Sequence, residues 1–408
     1  MFSGDAAKIL GLAALSSALT GPGQTIGVSV FIDHFVDDLD LSRPQVSGAY
    51  LVGTLTGSLF LPFIGRFIDR RGVRVAQMII GVLFAGALVN MSFVSGLLSL
   101  AIGFTGIRLV GQGSLSLVST VTVSLRFREN RGKAIGIFST ASNALMALSP
   151  IGLAALIAAV GWRSAWLIAA LIIAATVTPI AWFGLRSLPT SSNAKSASLD
   201  KAYPNSSHER SYDRGEAMRT RGFWILAAVS GSAGMLSTAL NFHQIDLLTD
   251  AGLSRDAAAA MFLPQVLGST VAAVGTGYVI DRFGSRLLPA VTMVILVSAH
   301  VLAANAAPGL AVFSYAITLG ASSGAIRTVT STLLPQWFGT AHLGSVQGTL
   351  TLLNVGASAI GPVTLALLQD RVGSYPPAIL GLALIPVAAL LFSLFPPFPL
   401  TDVGRKSQ

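Results

Sequence analysis

No cysteine occurs anywhere in the 408 residues, so disulfides, thiolate metal sites and thiol catalysis are all excluded. Charge is scarce as well. Only 11% of the chain is Asp, Glu, Lys or Arg, against 52% hydrophobic residues, too little to keep a globule of this length dissolved in water. A Gly-x-x-x-x-Gly-Lys-Ser/Thr loop is missing, which argues against direct use of ATP, and no carboxylate lies in the middle of a long apolar run. An integral-membrane enzyme would need convergent carboxylates, a metal cluster or an activated nucleophile inside those runs. The expectation is therefore a non-enzyme with no metal and no cofactor. The net charge of +9 does not imply nucleic acid, because the basic residues fall between apolar runs and form no patch interleaved with aromatics.

What fills the chain is a succession of long uncharged runs. A bilayer core is about 30 Å thick and takes roughly 20 apolar residues per helical crossing. Spans are expected near 9–34, 45–65, 75–95, 97–123, 134–159, 163–186, 222–247, 257–279, 287–306, 309–335, 344–369 and 374–396, numbered 1 to 12 below. The run from Leu10 to Phe35 is longer than a signal-peptide core and has no basic region before it, since Asp5 and Lys8 cancel; it reads as a retained first span. Six spans (1–186), a segment rich in Ser, Asn and both signs of charge (187–221), six more spans (222–399) and a short tail (400–408) follow in order. The segment between the halves has no apolar face to bury and reads as a cytoplasmic linker.

Basic loops stay cytoplasmic. With both termini inside, 20 of the 26 Lys and Arg residues lie on the inner side and only Arg43, Arg163, Arg255 and Arg371 on the outer. Arg108 and Arg327 are left within spans. The chain is thus expected to be a multi-pass protein of the cell inner membrane, with lipid as its surroundings.

Shifting the sequence by 212 residues lays one half on the other. Gly65-Arg-Phe-Ile-Asp69-Arg70-Arg-Gly72-Val-Arg74 falls on Gly277-Tyr-Val-Ile-Asp281-Arg282-Phe-Gly284-Ser-Arg286 with six of ten positions identical, and Leu41-Ser42-Arg43 falls on Leu253-Ser254-Arg255. Gly132, Gly136 and Pro150 likewise fall on Gly344, Gly348 and Pro362. A parallel repeat of six-helix halves suits a transporter that holds its substrate near the midplane and opens alternately to each side.

The 65–74 turn resembles the loop between helices 2 and 3 that marks the major facilitator superfamily. That resemblance implies an all-α membrane protein with twelve transmembrane helices in two six-helix repeats. It also implies a cytoplasmic gate of Gly65, Asp69, Arg70, Gly72 and Arg74, with Asp281 and Arg282 as counterparts. In that family the acidic residue, here Asp69, docks at a helix end of the opposite half, where unpaired N–H groups attract a carboxylate. Gly111-Gln-Gly113-Ser, Phe127 to Gly136, and Asn241-Phe-His243-Gln244-Ile-Asp246 resemble the bacterial branch related to monocarboxylate carriers and oxalate:formate antiporters. Several carriers of that branch hold the carboxylate with an arginine in helix 8; here span 8 carries Gln265 and no basic residue.

A charge at the bilayer centre costs between about 2.5 and 17 kcal/mol, so Arg108 and Arg327 default to functional hypotheses. Each sits on a polar stripe, Arg108 with Gln112 and Ser116, Arg327 with Ser323 and Ser331. Guanidinium grips a carboxylate with two parallel hydrogen bonds. The expectation makes Arg327 the main anion-binding group and gives Arg108 a supporting or coupling role, while a purely structural role stands beside each. Asn241, Gln244, Asn354 and Gln24 are further substrate-binding candidates, although polar residues in spans can equally tie helices together. Asp33 and His34 at the end of span 1, with His243 and Asp246 on span 7, are the proton-coupling candidates. His300 reads as a packing residue, and Gly21-Pro22-Gly23 predicts a gating bend in span 1. The expected function is alternating-access transport of a small, monocarboxylate-like organic anion with proton symport, by a monomer. The alternatives are a proton-driven exporter of drugs or other hydrophobic solutes and a non-transporting membrane receptor or assembly protein.

Overall fold

The computed structural model describes residues 4–127, 131–185, 212–283, 286–339 and 343–397. Regular structure among them is helical throughout, the form that satisfies every backbone group within a single segment when no water is at hand. Each of the twelve expected spans is built of helix among its described residues, some with breaks. Span 7 is Arg221–Asp250 and span 10 is Leu310–Phe338; thirty residues at a rise of about 1.5 Å each reach about 45 Å, past both edges of the hydrocarbon. By length and apolarity alone, seven stretches of the described residues qualify as crossings, Trp162–Gly184 and Tyr375–Ser393 among them. Several of the others are interrupted.

Those interruptions follow the sequence. Span 1 consists of Gly4–Ala18, a 3₁₀ turn at Gly21–Gly23, Thr25–Val28, a second 3₁₀ turn and Ile32–Leu39, so the bend expected at Gly21-Pro22-Gly23 is present. Span 5 breaks between Met146 and Ser149, where Pro150 opens the next segment because it lacks the N–H a helix start leaves unbonded. Spans 2 and 3 run as Arg43–Ser92 with one non-helical residue, Gly72 (φ 78°), a left-handed conformation that glycine adopts without strain. Span 4 departs most from expectation: Leu97–Gly106 and Ser116–Arg126 flank a π-helical stretch, Ile107–Leu115.

Two compact units emerge. One holds the described residues up to 185 together with Asn241–Thr249 and Ser254–Leu263; the other holds 212–240, Asp250–Leu253 and the described residues from Pro264 onward. In the first, Phe31 stacks on Trp166 at 4.0 Å between ring centres, and Phe35 meets Phe104 and Trp162 edge-on, fixing span 1 against spans 4 and 6. In the second, Phe223, Leu226, Val329, Leu333 and Phe338 form a buried cluster. The last residues of the expected linker belong to it: Asp213 caps a short helix, Arg214–Met218, and the Tyr212 N–H donates to the Phe338 carbonyl at 2.9 Å. The linker up to 211 and the tail beyond 397 lie outside the described residues.

Apolar surface is bare on the outside of both units, with Leu98 77% and Leu310 86% exposed, a face that only lipid tails can cover at no cost. Between helices the contacts are close. A Cβ on Gly320 would lie 1.9 Å from the Gln265 carbonyl oxygen, one on Gly324 2.0 Å from that of Ser269, and one on Gly268 2.1 Å from that of Ile317. Spans 8 and 10 therefore touch backbone to backbone, as small-residue crossings in membranes do.

Gly320→Val is expected to destabilise the second unit by more than the roughly 1–3 kcal/mol of ordinary overpacking, because backbone, not a yielding side chain, fills the space. Gly275→Ala on span 8, with nothing within 4 Å, should be near neutral. Thermal unfolding in detergent, followed by monodispersity on gel filtration, measures both; equal melting temperatures would refute the crossing.

Candidate functional site

In the first unit Arg108 stands at the start of the π-helical stretch and is buried. Its Nε donates to Thr54 Oγ1 at 3.0 Å and its Nη1 to the Gly23 carbonyl at 3.4 Å. The guanidinium carbon lies 4.7 Å from the centre of the Tyr50 ring, and the Tyr50 hydroxyl shares a 2.6 Å hydrogen bond with Thr25 Oγ1. Each contact has a local origin. Gly21-Pro22-Gly23 turns the chain too tightly for an α-helix and presents a carbonyl, Thr54 lies one turn beyond Tyr50 on span 2, and π-helical segments re-aim side chains and recur at functional sites. Hydroxyl, carbonyl and ring are all neutral partners. Gln112, one turn on, keeps a buried Oε1 without a partner among the described residues. Gln24 is used differently from expectation: its Nε2 donates to Thr20 Oγ1 at 2.9 Å, within the turn.

The proton-coupling candidates gather at one end of this unit, but around arginines. Arg43 Nη2 donates to Asp33 Oδ1 at 2.7 Å and also to Asp246 Oδ1, while Arg255 Nη2 pairs with Asp33 Oδ2 at 2.7 Å. Both oxygens of Asp33 are thus ion-paired, and His34 and His243 are not their partners in these pairs. His243 is buried with its ring 5.1 Å from that of Phe242. Gln244, also buried, donates to the Ala258 carbonyl at 3.4 Å, and Asn241 has a buried Oδ1 with no partner among the described residues.

Arg43 and Arg255 were legible in the sequence only as loop charges. A stronger signal existed. Each follows a serine N-cap, Ser42 and Ser254, and so occupies the first helical position, where the macrodipole favours acidic residues and disfavours cations. The same unfavourable placement at the same position of both repeats is the signature of an arginine held for a partner elsewhere.

In the second unit Arg327 is exposed, and among the described residues no hydrogen bond or ion pair reaches it. The hydroxyls of its stripe turn inward on their own helix, Ser323 to the Leu319 carbonyl at 3.2 Å and Ser331 to that of Thr328 at 3.0 Å. Asn354 donates to the Ser230 carbonyl at 2.6 Å, a bond between spans 11 and 7. His300 is buried in span 9 with Nδ1 2.8 Å from the Leu296 carbonyl. Of the expected gate, Arg70 is exposed, the Arg74 guanidinium lies 4.9 Å from the Trp182 ring centre, and Arg282 Nη1 donates to the Tyr278 hydroxyl at 3.4 Å. The side chains of Asp69 and Asp281 lie outside the described residues, as does Gly284.

The model of the Major Facilitator Superfamily matches residues 13–362. A curated relative, the uncharacterized MFS-type transporter YcxA of Bacillus subtilis (strain 168), is 25% identical over 288 residues, 64% of each chain; the chain thus spans somewhat less than two thirds of that relative's length. Among solved structures, a bacterial homologue of the human lysosomal transporter Spinster superposes with a TM-score of 0.75 at 15% identity, covering 97% of both chains. A point mutant of the nucleoside transporter NupG gives 0.76 at 13% identity, covering 96% of this chain and 99% of that one. At such identities the likeness is one of fold. The family match over most of the length is what assigns the chain: it belongs to the major facilitator superfamily, and its long apolar helices are those of a multi-pass membrane protein.

Proposed function

We propose that the chain moves small carboxylates across the membrane, with Arg108 as the charge that binds them. The observation that carries this reading is a guanidinium buried at span depth whose hydrogen bonds go to a hydroxyl and a backbone carbonyl. A permanent cation so placed keeps an uncompensated charge in a medium of low polarity. A carboxylate on its free N–H groups compensates it and gains charge-assisted hydrogen bonds worth about 1.5–3 kcal/mol. The same charge disfavours cationic drugs. Arg327 is assigned a second anion contact along the path, and Gln112 and Asn241 are the neutral groups with spare acceptors.

Protons accompany the anion in this proposal. The groups assigned to that coupling are Asp33 and Asp246, held by Arg43 and Arg255, with His34 and His243 beside them in sequence. The chain lies in the cell inner membrane with both termini inside, on the strength of its basic inner loops, and works as a monomer. Sequence halves 1–186 and 222–399 act as the two moving repeats.

Two outcomes are expected. In thermal-shift assays with formate, acetate, lactate and oxalate, at least one anion should stabilise the wild type. Arg108→Gln should weaken that anion by about 10- to 150-fold, the equivalent of one charge-assisted hydrogen bond, with Arg108→Lys intermediate. Stabilisation only by hydrophobic cations would overturn the reading. In proteoliposomes, uptake of the stabilising anion should rise under an inward proton gradient and fall to the gradient-free level on adding a protonophore; uptake indifferent to the gradient would remove the proton.

A further inference from the structure

Between Arg108 and the Asp33 cluster lies a layer that the anion reading leaves unused. On span 2, Arg43, Ser47, Tyr50 and Thr54 follow at intervals of four, three and four residues, so they share one helical face. On span 7, Phe242 and Asp246 are one turn apart. Tyr50 and Phe242 are both fully buried with ring centres 4.6 Å apart, and Phe104 meets Tyr50 edge-on at 5.6 Å. Beyond them toward the helix ends come the pairs of Arg43 with Asp33 and Asp246 and of Arg255 with Asp33. Segment 241–263 is thereby held to span 2 by an aromatic contact and an ionic one in succession, and the near side of the aromatic contact is the same Tyr50 ring that faces the Arg108 guanidinium.

We propose that Tyr50 is a positioning residue that ties occupation of Arg108 to release of this closure. The proposal rests on the anion reading of Arg108. An aromatic face attracts a bare cation through its quadrupole, most strongly where water is excluded. While Arg108 is vacant, the ring is drawn to it and so held in register with Phe242. A carboxylate bound to the guanidinium neutralises the charge that the ring senses, the pull on Tyr50 weakens, and the Phe242 contact loses its backing; between span 2 and segment 241–263 the pair of Arg43 with Asp246 then remains. The Tyr50 hydroxyl shares its hydrogen bond with Thr25 at the bend of span 1, so the proposal assigns the pull to the ring. The ring is the working part.

Ser47 offers a reporter. It is fully buried between the two layers and its Oγ has no partner among the described residues, so Ser47→Cys is close to isosteric in a chain with no other cysteine. Purified protein in lipid nanodiscs would be labelled with a charged maleimide, with and without lactate and oxalate. With no anion, the cysteine at position 47 should react slowly, and at least about tenfold faster when Arg43→Gln or Tyr50→Leu is added. Lactate or oxalate should accelerate labelling in the parent and in Tyr50→Phe, but leave Tyr50→Leu unchanged at its fast rate. Fast labelling of the parent without anion would refute the closure. If an anion stabilises the protein through Arg108 yet leaves labelling unaltered, or accelerates Tyr50→Leu as it does the parent, the coupling through Tyr50 is wrong and the anion site stands. If Arg43→Gln opens the closure but no anion either stabilises or accelerates, the anion reading has failed and the coupling with it. Monodispersity of each variant on gel filtration separates these results from misfolding.

Discussion

In hydrocarbon, a backbone carbonyl that leaves its helix must find a donor inside the protein, because water cannot supply one. Span 1 breaks at Gly21-Pro22-Gly23, and the donor that reaches the Gly23 carbonyl is Arg108. The rest of the first unit is arranged around that requirement. Span 4 widens into a π-helical stretch at Arg108, span 2 brings Thr54 to the guanidinium's Nε, and Tyr50 covers its face. A permanent charge is an expensive donor for a carbonyl when Ser or Thr would serve. In the transport proposal that charge has a second task, the binding of an anion by its remaining N–H groups.

The two repeats solve the same packing problem with opposite chemistry. Arg108 falls on Gly320 at the 212-residue offset, and Gly53 falls on Gln265. In the second unit Gly320 lets span 10 press against the Gln265 carbonyl; in the first, a Cβ on Gly53 would come within 2.7 Å of Phe104, and the bulk sits on span 4 instead. Arg327 falls on Leu115, seven residues or about 10 Å further along the helix. The two arginines of the spans therefore occupy different repeat positions and are not a symmetric pair.

Much of this was readable from the sequence, and the boundary is a physical one. Hydropathy and basic-loop bias report on segments, and the helical spans, the repeat and the bend of span 1 followed from them. The π-helical stretch did not, because Gly111 and Gly113 weaken a helix without specifying a π turn; the close approach of Phe84, which lies where a Cβ on Gly111 would be, is a tertiary contact that no local window reports. Asn354 and Gln24 looked like cavity groups because a polar residue in an apolar run has the same pattern whether it faces a ligand or a carbonyl of the next helix. The pairs of Arg43 with Asp246 and of Arg255 with Asp33 join residues more than 200 positions apart, beyond the reach of any local window, although the repeated arginine at a helix's first position pointed to them.

Asp33 stands apart within that ionic cluster. Its two oxygens are divided between two guanidiniums, one from each repeat, and two cations sharing one anion are neighbours only while the anion keeps its charge. Removing either arginine leaves a paired carboxylate, whereas removing the Asp33 side chain takes that partner from both arginines at once, with Arg43 keeping Asp246. A cluster so built depends on its central carboxylate more than on either of its cations.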